Sequence, residues 1–374
     1  MRLDIDGRNC ELESGRSILD AVKKEGFDSI MLSDRPLAAQ IGGEVFNLRF
    51  TPKKDTQIHL LRYGEDMGRR VYERTLQFLF ILAMRKEFPR ARVCVRYSLG
   101  PGLFITVDGM EEPFNEEAAL KVETEMRRLV RLKLPLERRR ISIKEALSFY
   151  EQDGQADKAK LLKWRRFSYF DVYQIDGYMD YFYGEMAPDT SYADVFRVKY
   201  VHDGAVVLLM PRSDAPDVPS DYVDLPKLHA VFHQSDEWGK LMECATVNDL
   251  NTHIQNGTIR ELVRINEALH DRGYADIADK IVQKGAKAVL VAGPSSSGKT
   301  TSAHRISTQL RLQGCHPVML SLDDYYIDRD KIERDENGEI DLENINTLDI
   351  QRFGSDLAAL IRGEKVEVPR FDFT

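Results

Sequence analysis

The sequence predicts a multidomain protein of mixed α+β and α/β class. The chain has 374 residues, and domains are about 100–200 residues long, so two or three of them fit. In the first half, short apolar strand patterns meet at turn signals such as Asp6-Gly7 and Gly100-Pro101-Gly102. Near residue 290 an apolar run leads through a glycine-bounded loop into a helical pattern, which is typical of an α/β domain.

Composition indicates an ordinary globular chain. Hydrophobic residues make up 43% and charged residues 30% of it, and the net charge of −8 gives no general argument for nucleic-acid binding. The longest apolar stretch, FLFILAM, is far shorter than the ~20 residues that span a bilayer. The four cysteines contain no CxxC pair, which favours reduced thiols. We therefore predict a cytoplasmic protein without a membrane partner.

Residues 1–62 predict a small β-rich domain with one helix. Alternating apolar residues precede the Asp6-Gly7 turn, and two further apolar segments flank Gly42-Gly43. Ser17, followed three residues later by Asp20, is a helix start of the capping-box kind. The order ββαββ fits a β-grasp module.

Residues 63–211 predict an α+β domain. A long helix over RRVYERTLQFLFILAMRKEF is followed by two strands and by the amphipathic pattern NEEAALKVETEMRRLVRLKL. Ser142 and Glu145 begin another helix, and VFRVKYVHDGAVVLLM reads as a hairpin. Residues 212–285 continue with helical periods, which predicts a helical connector. Residues 286–374 then form the predicted α/β domain with a parallel sheet.

The most informative motif is GPSSSGKT, which fits GxxxxGK[ST] completely. Backbone amides of such a loop, together with the following helix N-terminus, point at nucleotide phosphates. Lys299 would reach the β- and γ-phosphates, and the Thr300 hydroxyl would hold Mg²⁺. The alternative is a Gly/Ser loop formed by chance, but KAVLVA before it predicts a strand and SAHRISTQLRLQG after it a helix. The predicted ATP-binding residues are Gly293, Pro294, Ser295, Ser296, Ser297, Gly298, Lys299, Thr300 and Thr301.

A second apolar run, HPVMLSLDDYY, ends in Asp323 and Asp324. Ligands bind at the carboxyl ends of parallel strands, where a carboxylate can hold Mg²⁺ or accept a proton from an attacking hydroxyl. The alternative is that two acidic residues simply start a loop.

The last third resembles the uridine kinase and phosphoribulokinase group of P-loop kinases. The resemblance rests on GPSSSGKTT, SLDDYY, DLENINTLD and VEVPRFDF, which occur in that order. It implies that Asp323 is the general base for a nucleoside 5′-hydroxyl, with Lys299 as its catalytic partner at the phosphates. It also implies a set of substrate-binding residues, namely Tyr326, Glu343, Phe371 and Phe373.

The first 211 residues resemble the N-terminal half of threonyl-tRNA synthetases, a TGS module followed by the editing domain. The segment YMDYFYGEMAPDTSY and the stretch PLERRRISIKEAL carry this resemblance. The editing site of that family depends on a His-x-x-x-His pair and on a second pair, one Cys and one His. Here those positions align with Arg74 and Phe78, and with Phe182 and Met186, none of which is a zinc ligand. The resemblance therefore implies a hydrolytically inactive editing-like domain without zinc.

Together these resemblances imply an ATP- and Mg²⁺-dependent nucleoside kinase with regulatory N-terminal domains, and a chain that is a piece of a longer protein. Two alternatives stay open: a non-catalytic RNA- or nucleotide-binding module, and a P-loop kinase for another small molecule. The predicted partners are ATP and a nucleoside, with RNA at the N-terminal domains and a homo-oligomer left open. The arginine-rich stretch RRLVRLKLPLERRR could contact an RNA backbone, although a solvated helix face is the better interpretation.

Overall fold

The computed structural model describes residues 1–202, 204–327, 332 and 344–371. The chain divides into two compact units, Met1–Asn251 and Thr252–Thr374. The four sheets found in the described ranges all belong to the first unit. Mixed α and β structure with several sheets is thus confirmed, while the finer domain boundaries stay predictions. None of the described helices is long and apolar enough to cross a bilayer.

The N-terminal sheet has five strands in the order β2-β1-β5-β3-β4. They are β1 Arg2–Ile5, β2 Arg8–Glu11, β3 Ala38–Ile41, β4 Glu44–Phe46 and β5 Thr56–Leu61, with helix α1 at Ile18–Lys24. The predicted turn is present, because Asp6 and Gly7 have φ angles of 49° and 81°. The predicted helix start is also confirmed: the Ser17 side chain accepts a hydrogen bond from the Asp20 amide, at 3.2 Å.

Nine further strands and six further helices complete the first unit as described. The strands are β6 Arg92–Leu99, β7 Gly102–Asp108, β8 Glu137–Ser142, β9 Tyr169–Ile175, β10 Tyr178–Asp180, β11 Arg197–His202, β12 Ala205–Leu209, β13 Pro211–Arg212 and β14 Ala215–Pro219. The helices are α2 Asp66–Glu87, α3 Glu116–Leu132, α4 Ile143–Gln152, α5 Ala156–Leu162, α6 Pro226–Leu241 and α7 Val247–Gln255, the last of which crosses the unit boundary.

Two of these sheets lie within the predicted α+β region. One has the order β11-β12-β7-β6, and the other is the antiparallel sheet β10-β9-β8, in which β8 is an edge strand. Helices α2 and α3 pack together beside the first of them. The long helix, the strand pair around residues 100–102 and the amphipathic helix are all found where the sequence predicts them.

One large apolar core joins the five-stranded sheet to α2 and α3. It contains Ile5, Leu60, Leu76, Phe80 and Val122, all fully buried or nearly so. A polar contact between distant parts of the chain accompanies this core. The Arg35 guanidinium donates to both carboxylate oxygens of Asp194, at 2.9 and 3.0 Å. This core therefore draws on residues of both the predicted β-grasp region and the predicted α+β region, while smaller clusters lie around Tyr150 and around Phe104.

The second unit is helical in its described part. Helix α8 (Ile259–Gln283) packs against α9 (Lys299–Leu312) through Ala278, Ile306 and Leu310, and α10 spans Ile350–Arg362. Short 3-10 turns lie at Leu322–Tyr325 and Ile345–Thr347.

The predicted parallel sheet of residues 286–374 is not found among the described residues of the second unit. Residues 286–292, which carry the strand pattern KAVLVA, have no strand, and neither have residues 315–321. Leu290 is 84% exposed and its neighbours Val289 and Val291 are 46% and 40% exposed. A strand needs neighbours for its backbone hydrogen bonds and its apolar side chains, and this segment has none of them here. The α/β prediction for this region is corrected accordingly.

Candidate functional site

The predicted phosphate loop, residues 293–301, runs directly into the N-terminus of α9. Gly298 is the N-cap with φ 86°, and Ser296 also has a left-handed backbone, with φ 58°. The Lys299 ammonium turns back over the loop and donates to the Pro294 carbonyl oxygen at 2.8 Å. Left-handed residues that alternate with right-handed ones before a helix turn backbone amides toward one side, which makes an anion-binding hollow.

A side chain at the first position of this loop would crowd the residues that follow. A Cβ on Gly293 would lie 2.9 Å from the Ser297 hydroxyl and 3.5 Å from Cγ of Lys299. The loop and Thr300 are exposed, so phosphate oxygens could approach from solvent. This local geometry forms although the strand predicted before it does not.

Only some of the residues predicted to bind the substrate, or to act as general base, lie close to each other. The rings of Tyr326 and Phe371 lie 5.5 Å apart, at 54° to each other. Asp323 is exposed in the turn Leu322–Tyr325, and in the described ranges it has no hydrogen bond or ion pair to these residues or to the loop. Glu343 and Phe373 lie outside the described residues.

The four positions aligned with editing-site ligands do meet in the first unit. Phe78 on α2 and Met186 are fully buried, and the rings of Phe78 and Phe182 lie 5.3 Å apart. Arg74, one turn before Phe78, donates from Nε to the Glu185 carbonyl oxygen at 2.9 Å. An apolar cluster capped by a guanidinium therefore occupies these positions. In the described part of the chain, no group of three or more His, Cys, Asp or Glu side chains could hold a metal ion.

An open groove of about 730 Å³ lies next to this cluster. Its lining comes from β4 and the turn after it, from the first turns of α2, from β8 and from the segment after β10. These residues are Glu44, Val45, Phe46, Asn47, Phe50, Met67, Arg70, Arg74, Arg138, Gly184 and Glu185. Phe46 and Phe50 pack with ring centroids 4.5 Å apart, and 37% of Phe50 is exposed. The groove thus combines an aromatic wall with three guanidinium groups.

Two of the three arginines are held in place by the protein itself. Arg138 forms ion pairs with Glu185 and with Asp171, and Arg74 is fixed at the Glu185 carbonyl. Burial lowers the pKa of Arg74, and the neighbouring Arg70 charge lowers it further. Arg70 is exposed, and within the described ranges it has neither an ion-pair nor a hydrogen-bond partner. Its charge is therefore available to an anionic ligand.

A glycine leaves room for the Arg74 guanidinium and allows the left-handed backbone beside it. Gly184 has φ 106°, and a Cβ there would lie 3.0 Å from the Arg74 guanidinium carbon. Asn47 holds the opposite wall, since its side-chain amide donates to the Met186 carbonyl oxygen at 2.8 Å. Neither contact is visible in the sequence, because the residues are more than 100 positions apart.

The arginine-rich stretch is largely neutralised. Arg127 and Arg128 pair with Glu123 and Glu125 along α3, and Arg140 pairs with Asp171 across β8 and β9. Most of its positive charge is therefore paired with carboxylates of the same fold. This favours a solvated, internally paired surface and argues against a general RNA-binding helix.

A pair of histidines that the sequence did not single out also meets in this unit. Nε2 of His202 lies 3.0 Å from Nε2 of His229, whose Nδ1 is 2.7 Å from the Tyr97 hydroxyl. Burial and the neighbouring histidines lower the pKa of His229. The ring of His233, four residues after His229 on α6, lies 6.4 Å from that of His229.

Comparison with known proteins identifies homologues for about half of the chain. No family model matches it. The relatives are threonine–tRNA ligases. The enzyme of Clostridium kluyveri is 25% identical over 194 residues, which is 52% of this chain and 30% of that protein. Those of Carboxydothermus hydrogenoformans and Acetivibrio thermocellus are 27% and 28% identical, covering 45% and 42% of this chain and 26% and 24% of theirs.

This comparison supports one resemblance and overturns the other. The homology concerns the TGS and editing region of threonyl-tRNA synthetases. The prediction of an ATP-dependent nucleoside kinase is wrong, because the relatives are ligases and give no support to a uridine kinase or another P-loop kinase. The nucleoside substrate and the general-base role of Asp323 depended on that prediction and are withdrawn with it. The chain spans less than a third of the length of these relatives.

Proposed function

We propose that the first unit binds the single-stranded 3′ end of a tRNA in the groove and does not hydrolyse it through a metal centre. The observation that carries the proposal is the pairing of an aromatic wall, Phe46 and Phe50, with the unpartnered charge of Arg70. Single-stranded RNA is bound by stacking its bases on aromatic rings and by placing cations at its phosphates. The relatives join threonine to tRNA, as their name states, which makes tRNA the natural RNA to consider.

The residues at the former ligand positions argue for binding without hydrolysis. Phe78, Phe182 and Met186 offer no lone pair suited to zinc and no imidazole for general-base catalysis. Arg74 could hold a phosphate or a carbonyl oxygen but cannot activate water, since a guanidinium stays protonated in proteins and has no lone pair to accept a proton. The proposal is limited to tRNA binding, because the chain spans under a third of its relatives' length.

Arg70→Gln tests the groove. We expect affinity for tRNA to fall about tenfold at moderate salt, because one charge-assisted phosphate contact is lost. Fluorescence anisotropy with an end-labelled tRNA measures it, and Lys23→Gln, an exposed cation on α1, is the matched control. Unchanged affinity in Arg70→Gln would remove the groove from the binding site. Stoichiometric zinc in the purified protein, measured by inductively coupled plasma spectrometry, would contradict the metal-free assignment.

For the second unit we infer that residues 293–301 bind the polyphosphate of a nucleotide such as ATP, with Mg²⁺ at Thr300 and Asp323 as a further candidate ligand. The support is the left-handed backbone at Ser296 and Gly298 and the ammonium of Lys299 above the loop. No transfer reaction is part of this proposal.

Lys299→Ala tests this second site. We expect ATP affinity to fall at least about tenfold, since the ammonium is the one side-chain cation in the loop. Isothermal titration calorimetry with MgATP measures the change, and Lys287→Ala, an exposed lysine just before the loop, is the control. Equal affinity in the wild type and in Lys299→Ala would exclude phosphate binding here.

A further inference from the structure

The segment 163–169, KWRRFSY, stands out on the surface of the first unit. It links α5 to β9 and contains three cations, three aromatic residues and no acidic residue. Phe167 is 60% exposed, and Trp164 and Tyr169 are each 36% exposed. Large aromatic side chains are usually buried, so three exposed rings within seven residues call for a functional explanation.

The aromatic rings of this segment contact each other and neighbouring guanidinium groups. The rings of Phe167 and Tyr169 lie 5.8 Å apart, and the Arg140 guanidinium covers one face of Tyr169 at 4.0 Å. Arg165 lies over the inner ring Phe170 at 4.8 Å and donates to the Tyr169 carbonyl oxygen. The Arg165 guanidinium also lies 5.9 Å from the centre of the outer ring, Phe167, which stays 60% exposed and so accessible to a ligand.

Two charges of the segment are not neutralised by the protein. Lys163 and Arg166 are exposed, and among the described residues they have no ion-pair or hydrogen-bonding partner for their side chains. Arg165 has a backbone carbonyl as its partner, so it also keeps its charge uncompensated. The segment thus differs from the arginine-rich stretch 127–140, where carboxylates pair most of the guanidinium groups.

The segment is continuous with the groove. Arg138 and Arg140 are two residues apart on β8 and so project from the same face of the strand. Asp171 of β9 bonds to both of them, at 3.1 Å to Arg138 and 2.8 Å to Arg140. Arg138 lines the groove and Arg140 stacks on Tyr169. A row of side chains therefore leads from the groove along the sheet to Phe167.

We propose that the segment 163–169 is a second contact surface for single-stranded RNA, which extends the groove along β8 and β9. The bases stack on Phe167 and the outer face of Tyr169, and Lys163 and Arg166 bind the adjoining phosphates. Exposed rings interleaved with unpaired cations match this ligand, since every base has a flat apolar face and every linkage one negative charge. This second contact surface rests on the RNA binding proposed for the groove of the first unit. It lengthens the path along which the RNA is bound.

The test uses the full chain and two labelled RNAs, one of about twelve nucleotides and one of about four. Phe167→Ala should weaken binding of the long RNA about tenfold and leave the short one unchanged, because stacking of one base is lost. Leu120→Ala, which removes a 65% exposed apolar side chain from α3, is the matched control. Phe167 is mostly exposed, so the substitution leaves the fold intact, and circular dichroism checks this.

The charged residues give an independent measurement. The double variant Lys163→Gln with Arg166→Gln should reduce the slope of log affinity against log salt by about 1.4, which corresponds to two phosphate contacts on a single strand. The pair Lys23→Gln with Lys227→Gln is the control and should leave the slope unchanged.

The experiments test the groove and the segment 163–169 independently. If Arg70→Gln weakens both RNAs while the segment variants bind like wild type, the groove stands and the extension is wrong. If the segment variants weaken the long RNA and Arg70→Gln changes nothing, the groove assignment fails. Binding of anionic lipid vesicles that is lost in Phe167→Ala, with RNA affinity unchanged, would overturn the extension in favour of a membrane surface.

Discussion

At the scale of single residues, the binding proposed for the first unit depends on the chemistry of four side chains. Phe78, Phe182 and Met186 fill space where metal ligands are expected, and Arg74 brings a cation to the rim. A Cβ on Gly184 would lie 3.0 Å from this guanidinium and would crowd it. Binding of an anion is compatible with these residues, whereas activation of water is not.

A titratable cluster at the start of α2 gives a residue-scale property that can be measured. His59 lies between two carboxylates, with Nε2 at 2.7 Å from Glu65 and Nδ1 at 2.9 Å from Asp6. Both ring nitrogens then act as donors, so the charged imidazolium is favoured. The hydrogen bond to Glu65 and that to Asp6 raise the pKa of His59, although burial acts against them.

His59→Gln should therefore destabilise the first unit mainly at acid pH. A raised pKa in the folded state contributes stability that is complete below the unfolded value, about 6.5, and is lost as the pH rises through the folded value. The difference in urea midpoint between wild type and variant should be larger near pH 5.5 than near pH 9. Fluorescence of the two tryptophans reports on this unit alone, since both lie in it.

His304→Gln, which changes an exposed histidine of α9, is the control for this measurement. If the difference in urea midpoint between wild type and His59→Gln does not depend on pH, His59 stabilises the unit through neutral hydrogen bonds only. A larger effect at alkaline pH would contradict the charge assignment.

At the scale of elements, α6 shows how a helix without a buried residue is held. No residue of α6 is buried, and its contacts with the sheet combine aromatic stacking with the hydrogen bonds of His229 and an ion pair of Asp236 with Arg96. The ring of Phe232 stacks on Tyr97 at 4.1 Å, and Tyr97 stacks on Phe104 of β7 at 4.9 Å. Burial raises the pKa of Tyr97 to about 12, so its hydroxyl stays protonated and bonded to His229 at neutral pH.

Phe232→Ala should release this helix while leaving the rest of the first unit folded. Loss of one aromatic stack, worth about 0.5–1.5 kcal/mol beyond its area, should lower hydrogen-exchange protection of residues 226–241 severalfold. Exchange followed by mass spectrometry measures it. Val231→Ala, at a 61% exposed position of the same helix, is the control. Equal protection in both variants would mean that the histidine contacts hold α6 without the stack.

Whether an element was predicted correctly from the sequence depends on whether its stabilising contacts are local. Helices α1, α3 and α4 begin at Ser17, Asn115 and Ser142, whose side chains accept from the first-turn amides. Such signals are local, so a pattern reveals them. The strand predicted over KAVLVA failed, because an apolar run forms a strand only when neighbouring strands are there to pair with it.

At the scale of the whole molecule, the two units differ in how their structure is held together. The first has a continuous core from β1 to β12, and the second, in its described part, rests on smaller contacts such as Ala278 with Ile306 and Leu310. The homology to threonine–tRNA ligases extends over about half of the chain. A single motif, however complete, therefore did not decide the function of the whole chain.

The sequence by itself determined the helices, the hairpins and the glycine-bounded loop of residues 293–301, because caps, alternation and turn residues act over a few positions. Through its resemblance to the synthetases it also led to the prediction that Arg74, Phe78, Phe182 and Met186 do not bind zinc. Only the tertiary structure decided which cations remain free. Arg140 and Arg166 look alike in the sequence, yet a carboxylate 31 residues further on, Asp171, neutralises one of them. Charge pairing and the approach of Arg74 to Gly184 depend on distances across the fold, which no local pattern encodes.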